Sequence, residues 1–223
     1  MSDPLAQTDR TRVRRLAERG SFDRALANSI IDEAYIAHVG FIVDGAPKVL
    51  PMTYGRDGGV LYLHGAVGNA MLRASAGAEV CVTITLLDGL VLARSAFHHS
   101  MNYRSVVLLG SAERVDDEDE KRRAFDVIVD HVLPGRSAAA RATNPSELRT
   151  TLVLRLGIDE GSVKVRTGGA VDDEEDHGLP VWAGVIPLAL TPGDPVQDGL
   201  QLDVPELASL TPPEPARPAS PTR

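Results

Sequence analysis

Asp-Gly pairs stand between short apolar runs at Asp44-Gly45, Asp57-Gly58-Gly59 and Asp88-Gly89, and no other feature narrows the possible folds as much. Glycine enters the left-handed backbone of a tight turn at no steric cost and aspartate tolerates it, so each pair predicts two antiparallel strands joined by a short reversal. YIAHVGFIV precedes the first turn, PKVLPMTYG lies between the first two and VLYLH follows; together they predict a three-strand meander. In EVCVTITL, Val80, Val82, Ile84 and Leu86 alternate with Cys81, Thr83 and Thr85, the period of a strand with two unlike faces. The third turn leads into LVLARSAF, and NYRSVVLLGSAERV supplies a longer strand. TLVLRL, with Leu152, Leu154 and Leu156 on one side, forms a last strand that SVKVR extends.

Helices are few. Ser21 is placed to cap a helix from Phe22 to Ala34, with Phe22, Leu26 and Ile30 at four-residue spacing. A short helix is expected from Gly68 to Ala74. Asp117 and Glu120 have capping-box spacing, and Ala124, Phe125, Ile128, Val129 and Val132 form a stripe that stops at Pro134-Gly135. LPVWAGVIPL reads as a strand packed back on the core. Six or seven short strands with so few helices predict a mainly β fold, a small closed or partly closed barrel, because closure removes exposed edges. A doubly wound parallel sheet would need a helix between successive strands.

The 223 residues divide into an extension over 1–20, with a basic stretch from Arg10 to Arg19, a domain over 21–202 and a tail over 203–223. The tail carries six prolines among small and polar residues and is expected to be disordered. Apolar residues at 43% and charged residues at 24% suit a globular chain. A net charge of -8 opposes attraction to nucleic-acid phosphates, and 4% aromatics leave little for base stacking. No apolar run is long enough for a membrane span, no secretory signal is visible and Cys81 has no partner for a disulfide. The expectation is a cytoplasmic protein acting on neither nucleic acid nor membrane.

The segment VLYLHGAVGNAMLRA carries the most chemistry. A strand ends at His64, a turn of small residues follows and a helix begins, so unpaired backbone N–H groups and the positive end of the helix dipole converge where a phosphate binds well. Asn69 and Arg73 are four residues apart, and the Arg73 guanidinium can lean back toward such an anion. An ordinary strand-to-helix turn with a surface arginine explains the same residues. His64 shares its face with Val60 and Tyr62, where a hydrogen-bonded structural histidine is the plain reading. Adjacent His98 and His99 would point to opposite faces of a strand, and a structural zinc site is not expected. The acidic run Asp116 to Glu120 suits a helix N-terminus, and Asp172 to Asp176 reads as a solvated loop. Cys81 reads as a buried inert thiol, and Trp182 as a core residue or the cover of a flat ligand. Serine-hydrolase, P-loop and dinucleotide motifs are absent.

Longer strings are more specific. ERGSFDRA, HVGFIVDG, PMTYGRDG, LYLHGAVG, LLDGLVLARSAFHHSMNYRSVVLLG, VKVRTGGAVDDEED and LPVWAGVIPL follow one another in an order that resembles the flavin-nucleotide-binding, nitroimidazole-resistance-like branch of the pyridoxamine 5'-phosphate oxidase-like split barrels, over about Arg15 to Leu190. The resemblance implies a Greek-key-like split β-barrel that forms a homodimer and holds one FMN in each of two clefts between subunits. It implies that Pro51, Met52, Thr53 and Tyr54 run along the flavin ring, that His64, Gly65, Ala66, Asn69 and Arg73 lie at the ribityl phosphate, and that Ser105, Lys164, Arg166 and Trp182 close the site. Relatives carry one or two cations just after the position of Asn69, where this chain has Ala70 and Met71. The implied activity is an FMN-dependent oxidoreductase that reduces a small electrophile such as a nitro-aromatic, with His64 as proton donor or substrate contact. The alternatives are a non-catalytic holder of flavin or haem, and an oxidase of pyridoxamine phosphate itself.

Overall fold

The computed structural model describes residues 3–200; the expected tail from Asp203 to Arg223 lies outside them. In chain order the elements are β1 (Gly20–Ser21), α1 (Arg24–Glu33), β2 (Ala37–Val43), β3 (Ala46–Met52), β4 (Tyr54–Asp57), β5 (Val60–Ala66), α2 (Ala70–Ser75), β6 (Glu79–Leu92), β7 (Ser100–Ser111), β8 (Glu113–Arg114), α3 (Glu118–Val132), α4 (Arg136–Ala139), α5 (Pro145–Thr150), β9 (Thr151–Gly157), β10 (Glu160–Arg166) and β11 (Gly184–Pro187). The strands form two antiparallel sheets. The larger has the order β1-β10-β7-β6-β2-β3, with β11 added beside β6, and the smaller has the order β4-β5-β9-β8. One core lies between them, where Val39, Val82, Ile84, Val106 and Leu108 meet Leu61, Leu63, Leu154 and Leu156. This is the expected split barrel.

Two expectations change in detail. PKVLPMTYG is not one strand: Thr53 interrupts it, β3 pairs with β2 in the large sheet and β4 pairs with β5 in the small one. The expected meander is therefore two hairpins in two sheets. The turns themselves are as read, with Asp44 and Gly45 at φ 51° and 75° and Gly58 at φ 58°. Asp88-Gly89 makes no turn. The chain runs straight through as the fourteen-residue β6, with a bulge between Leu87 and Gly89, because β7 and β11 pair with it on either side of that point. A bulge accommodates the extra residue by twisting the strand.

Helix α1 starts later than expected. Its cap is Asp23, whose carboxylate accepts from the Ala25 and Leu26 amides, while the Ser21 hydroxyl accepts from the Asp23 amide. Ala27, Ile30 and Ile31 are fully buried, and each isoleucine contributes about 1.5–3 kcal/mol by leaving water. Asp117 caps α3 through the Glu120 amide; the Glu120 carboxylate turns instead to the Tyr62 hydroxyl and Arg155. Helix α3 packs Ala124 and Ile128 on the outer side of the small sheet, against Tyr62 and Val153. Val153 thus faces one core while Leu152 and Leu154 face the other. The residues ahead of Gly20 belong to the domain: Leu5 is 2% exposed, and Arg10 bonds Glu160 and Glu79. Among the described residues no helix is long and apolar enough to cross a membrane.

Candidate functional site

The strand registers sort the candidate residues into three places. Pro51 pairs with His38, which pairs with Thr83, and Ser105 stands between Thr85 and Lys164. Directly opposed residues share a face, so Pro51, Ser105 and Lys164 all lie on the outward face of the large sheet. Trp182 joins them. A Cβ on Gly184 would point into its indole ring, 2.9 Å away, and Gly184 shares a face with Ile186, which stands outward beside Leu90 and Met101. Trp182 is 63% exposed, so it is not the core residue that its segment suggested. On the same face Ile42, Val49, Leu87 and Met101 are exposed, and Cys81 is half-buried there rather than enclosed.

Pro51 and Lys164 are separated by four strand-to-strand steps, roughly 19 Å at the usual spacing. One flat ring cannot touch both from a single chain. Met52 turns inward and packs on the core. Tyr54 also turns inward: its hydroxyl donates to the carbonyls of Ile31 and Ala34, each at 2.6 Å, and its ring lies 4.5 Å from that of His131. Burial pushes the phenol well above its usual range. Tyr54 thus locks the end of α1 and offers a cofactor only its backbone. Arg166 is likewise committed within its own chain, donating to Asn102 Oδ1 at 2.5 Å and to the Gly169 carbonyl.

The second place is the end of β5. Since Tyr54 opposes Leu63, Thr53 comes next to His64 where the chain changes sheets, which joins the β3 margin to the turn after β5. Asn69 is the residue before α2, and its side-chain oxygen accepts from the Leu72 amide at 3.1 Å. Arg73 is exposed one turn later. The helix has six residues, so its dipole is small, and the Val67 and Asn69 amides of the turn already donate to the Thr150 and Ala66 carbonyls.

The third place is the face of β5 that looks toward α3. His64 stands here with Val60 and Tyr62, its ring 6.0 Å from that of Phe125, edge to face. Its Nδ1 is buried with no hydrogen-bond partner among the described residues. Burial lowers the pKa of the imidazole from its ordinary value of 6.5, which favours the uncharged form at neutral pH. A buried polar atom left unpaired costs about 1–3 kcal/mol. The plain reading of His64 as a hydrogen-bonded structural residue is therefore not what the geometry shows.

Other candidates resolve into structural roles. His98 and His99 sit in a loop, His98 Nε2 at 3.1 Å from Asp173 and His99 Nδ1 at 3.0 Å from the Ser95 carbonyl. Asp172 is not solvated: its carboxylate takes the Arg94 amide and guanidinium, both at 2.8 Å. Sequence reasoning passed over Arg104, which is buried and joins Glu33 of α1 to Asp88 in the β6 bulge at 2.5–3.0 Å. Nothing in the spacing of those three residues announces the contact. It also passed over Phe125 as a neighbour of His64, because an apolar helix stripe does not say which strand residue it meets.

A family model described as pyridoxamine 5'-phosphate oxidase matches residues 23–165. The flavocytochrome Anf3 from Azotobacter vinelandii is 41% identical, with a TM-score of 0.85 over 91% of this chain and 95% of its own. An FAD and haem binding protein from Mycobacterium smegmatis is 38% identical, with a TM-score of 0.77 over 88% of this chain and 94% of its own. A candidate 5-nitroimidazole antibiotic resistance protein from Bacteroides thetaiotaomicron is 28% identical, with a TM-score of 0.54 over 64% of this chain and 84% of its own. None of the curated proteins matches.

Proposed function

We propose a function from one premise: the chain belongs to the pyridoxamine 5'-phosphate oxidase family. On that premise it is a redox protein that holds a flavin nucleotide, FMN or its adenine dinucleotide, between two copies of itself, and a haem at His64. The observation that carries the reading is His64, a mainly uncharged imidazole with an unpaired buried nitrogen, packed edge to face against Phe125. That is the donor a haem iron takes. Two relatives above 35% identity are a flavocytochrome and an FAD and haem binding protein, which supports both cofactors.

The homodimer is supported by the outward face of the large sheet. Ile42 and Val49 are 60% and 62% exposed there, and Trp182 stands over the β11 end of the same face. Uncovered apolar area of this kind marks an interaction site. A second copy also answers the separation of Pro51 from Lys164, because the flavin ring then takes the β3 margin of one chain and Ser105, Lys164 and Trp182 of the other. Among the described residues β3 pairs only with β2, so its outer margin leaves backbone donors and acceptors for the polar side of the ring.

When bound, the flavin supplies hydride and one-electron chemistry and the haem supplies one-electron transfer. The chain binds and orients. The Gly65–Asn69 turn and Arg73 meet the ribityl phosphate, the hydrophobic strand face excludes water, and His64, kept neutral by burial, holds the iron rather than a proton. Reduction of a small nitro-aromatic is the second reading, supported by the likeness to the nitroimidazole resistance protein; there the neutral His64 contacts the substrate. The spectrum of protein purified without added cofactor tests the choice. Flavin and haem bands are expected together, and His64→Ala should lose the haem bands and keep the flavin. Haem retained in full by His64→Ala, or flavin without haem in the wild type, would overturn the first reading. Light scattering that finds a monomer at micromolar concentration would overturn the shared site.

A further inference from the structure

Two neighbouring rows of residues cross the outward face of the large sheet. Arg166 opposes Tyr103, which opposes Leu87, and Lys164 opposes Ser105, which opposes Thr85. Residues two apart on one strand share a face, and opposed residues on adjacent antiparallel strands have Cβ atoms about 5 Å apart. Lys164, Arg166, Tyr103 and Ser105 are therefore near neighbours, a polar corner on a face whose Leu87, Met101, Trp182 and Ile186 are exposed apolar residues.

The two cations of that corner keep their charge. Among the described residues two arginines are buried, Arg104 and Arg166, each 6% exposed. Arg104 lies between the carboxylates of Glu33 and Asp88. Arg166 donates instead to Asn102 Oδ1 and to the Gly168 and Gly169 carbonyls, neutral oxygens that fix its place and leave its charge uncancelled. Lys164 donates to the Arg15 carbonyl at 3.4 Å, also neutral. Among the described residues no carboxylate lies within ion-pair distance of either cation. Burial lowers the pKa of Arg166, and the group that works against this is the Tyr103 phenol rather than a carboxylate. An arginine that lacks an ion pair but is exposed, as Arg73 is, is screened by water and salt. A buried one without a carboxylate is costly to the fold and exerts a strong field on whatever is brought beside it.

We propose that Lys164 and Arg166 raise the reduction potential of the flavin by binding its reduced, anionic form more tightly than its oxidised form. The proposal deepens the flavin reading and rests on it. The oxidised ring is neutral. Two electrons and one proton, taken up at N5, give a hydroquinone whose negative charge spreads over N1 and the C2 carbonyl; a second proton, at N1, gives the neutral hydroquinone. Fixed cations beside that end of the ring favour the anion, and Arg166 needs no rearrangement to act because Asn102 and the two glycine carbonyls already hold it.

Redox titration of the flavin-loaded protein with dithionite, repeated over a series of pH values, tests it beside Lys164→Gln and Arg166→Gln. Each is also measured in a His64→Ala background, so that haem does not share the signal. Binding of the reduced form weakened tenfold relative to the oxidised form lowers the midpoint of a two-electron couple by about 30 mV, and each variant should fall by at least that much. Near neutral pH the wild-type midpoint should drop by about 30 mV per pH unit, the slope for one proton with two electrons. The variants should keep about twice that slope, that of two protons, up to a higher pH than the wild type does. Midpoints and slopes in both variants equal to those of the wild type would overturn the proposal and leave the flavin reading standing. A protein that takes up neither FMN, FAD nor riboflavin would overturn both. Should Arg166→Gln fail to fold, Lys164→Gln decides: an unmoved midpoint overturns the proposal.

Discussion

Gly55→Ala should destabilise the protein through the contact that seats α3 on the small sheet. Gly55 is buried in β4, and a Cβ there would stand 2.8 Å from the backbone nitrogen of Ile128 and 2.9 Å from its Cα and from the Val127 carbonyl carbon. These are main-chain atoms of a fifteen-residue helix, so no side chain can rotate aside, and β4 or α3 must move as a body. Overpacking of this kind costs about 1–3 kcal/mol, equivalent to a fall in melting temperature of about 2–12 °C for a domain of this size. Gly59→Ala is the control: it lies close by in sequence, has nothing within 4 Å of its Cβ position and does not have a positive φ. It should stay within about 0.5 kcal/mol of the wild type. Thermal unfolding followed by circular dichroism reads both. Equal melting temperatures for Gly55→Ala and Gly59→Ala would refute the close approach of helix and strand, and with it the position of Phe125 beside His64.

Tyr54→Phe removes the donor shared by the Ile31 and Ala34 carbonyls and should cost about 1–3 kcal/mol, since two buried acceptors lose their partner; urea unfolding would show it, and an unchanged midpoint would count against the bond. Burial lowers the pKa of His64 and His131 below the ordinary 6.5. Their neutral forms therefore give full stability above about pH 6.5 and lose it as pH falls through the folded values. In cofactor-free protein His64→Leu should flatten that acid loss in part, with His131 carrying the rest, and an identical pH profile would show that His64 is not buried as described. Arg73→Ala should weaken FMN by about 1.5–3 kcal/mol and leave riboflavin nearly untouched; equal weakening of both, read by flavin fluorescence, would move the phosphate away from the Gly65–Asn69 turn.

Local chemistry was legible in the residues alone. Asp44-Gly45 and Gly58 make their turns because their backbones enter the left-handed region whatever surrounds them, and Asp117 caps α3 because its carboxylate reaches an amide three residues away. The alternation of Val80, Val82 and Ile84 with Cys81 and Thr83 marked two faces, and a long ordered set of strings marked the family and its split barrel. Partnership between distant segments was not legible. Thr53 carries no mark of the change of sheet, and Asp88-Gly89 has the composition of a turn, yet pairing with β7 and β11 holds it inside a strand. Tyr54 and Arg166 looked available until neighbours far along the chain took their polar groups. His64 looked satisfied until packing against Phe125 left its nitrogen alone. Turns and caps are set by atoms a few bonds apart, whereas the face a side chain occupies, and what waits there, depends on which strand pairs with which, and only the assembled sheets decide that.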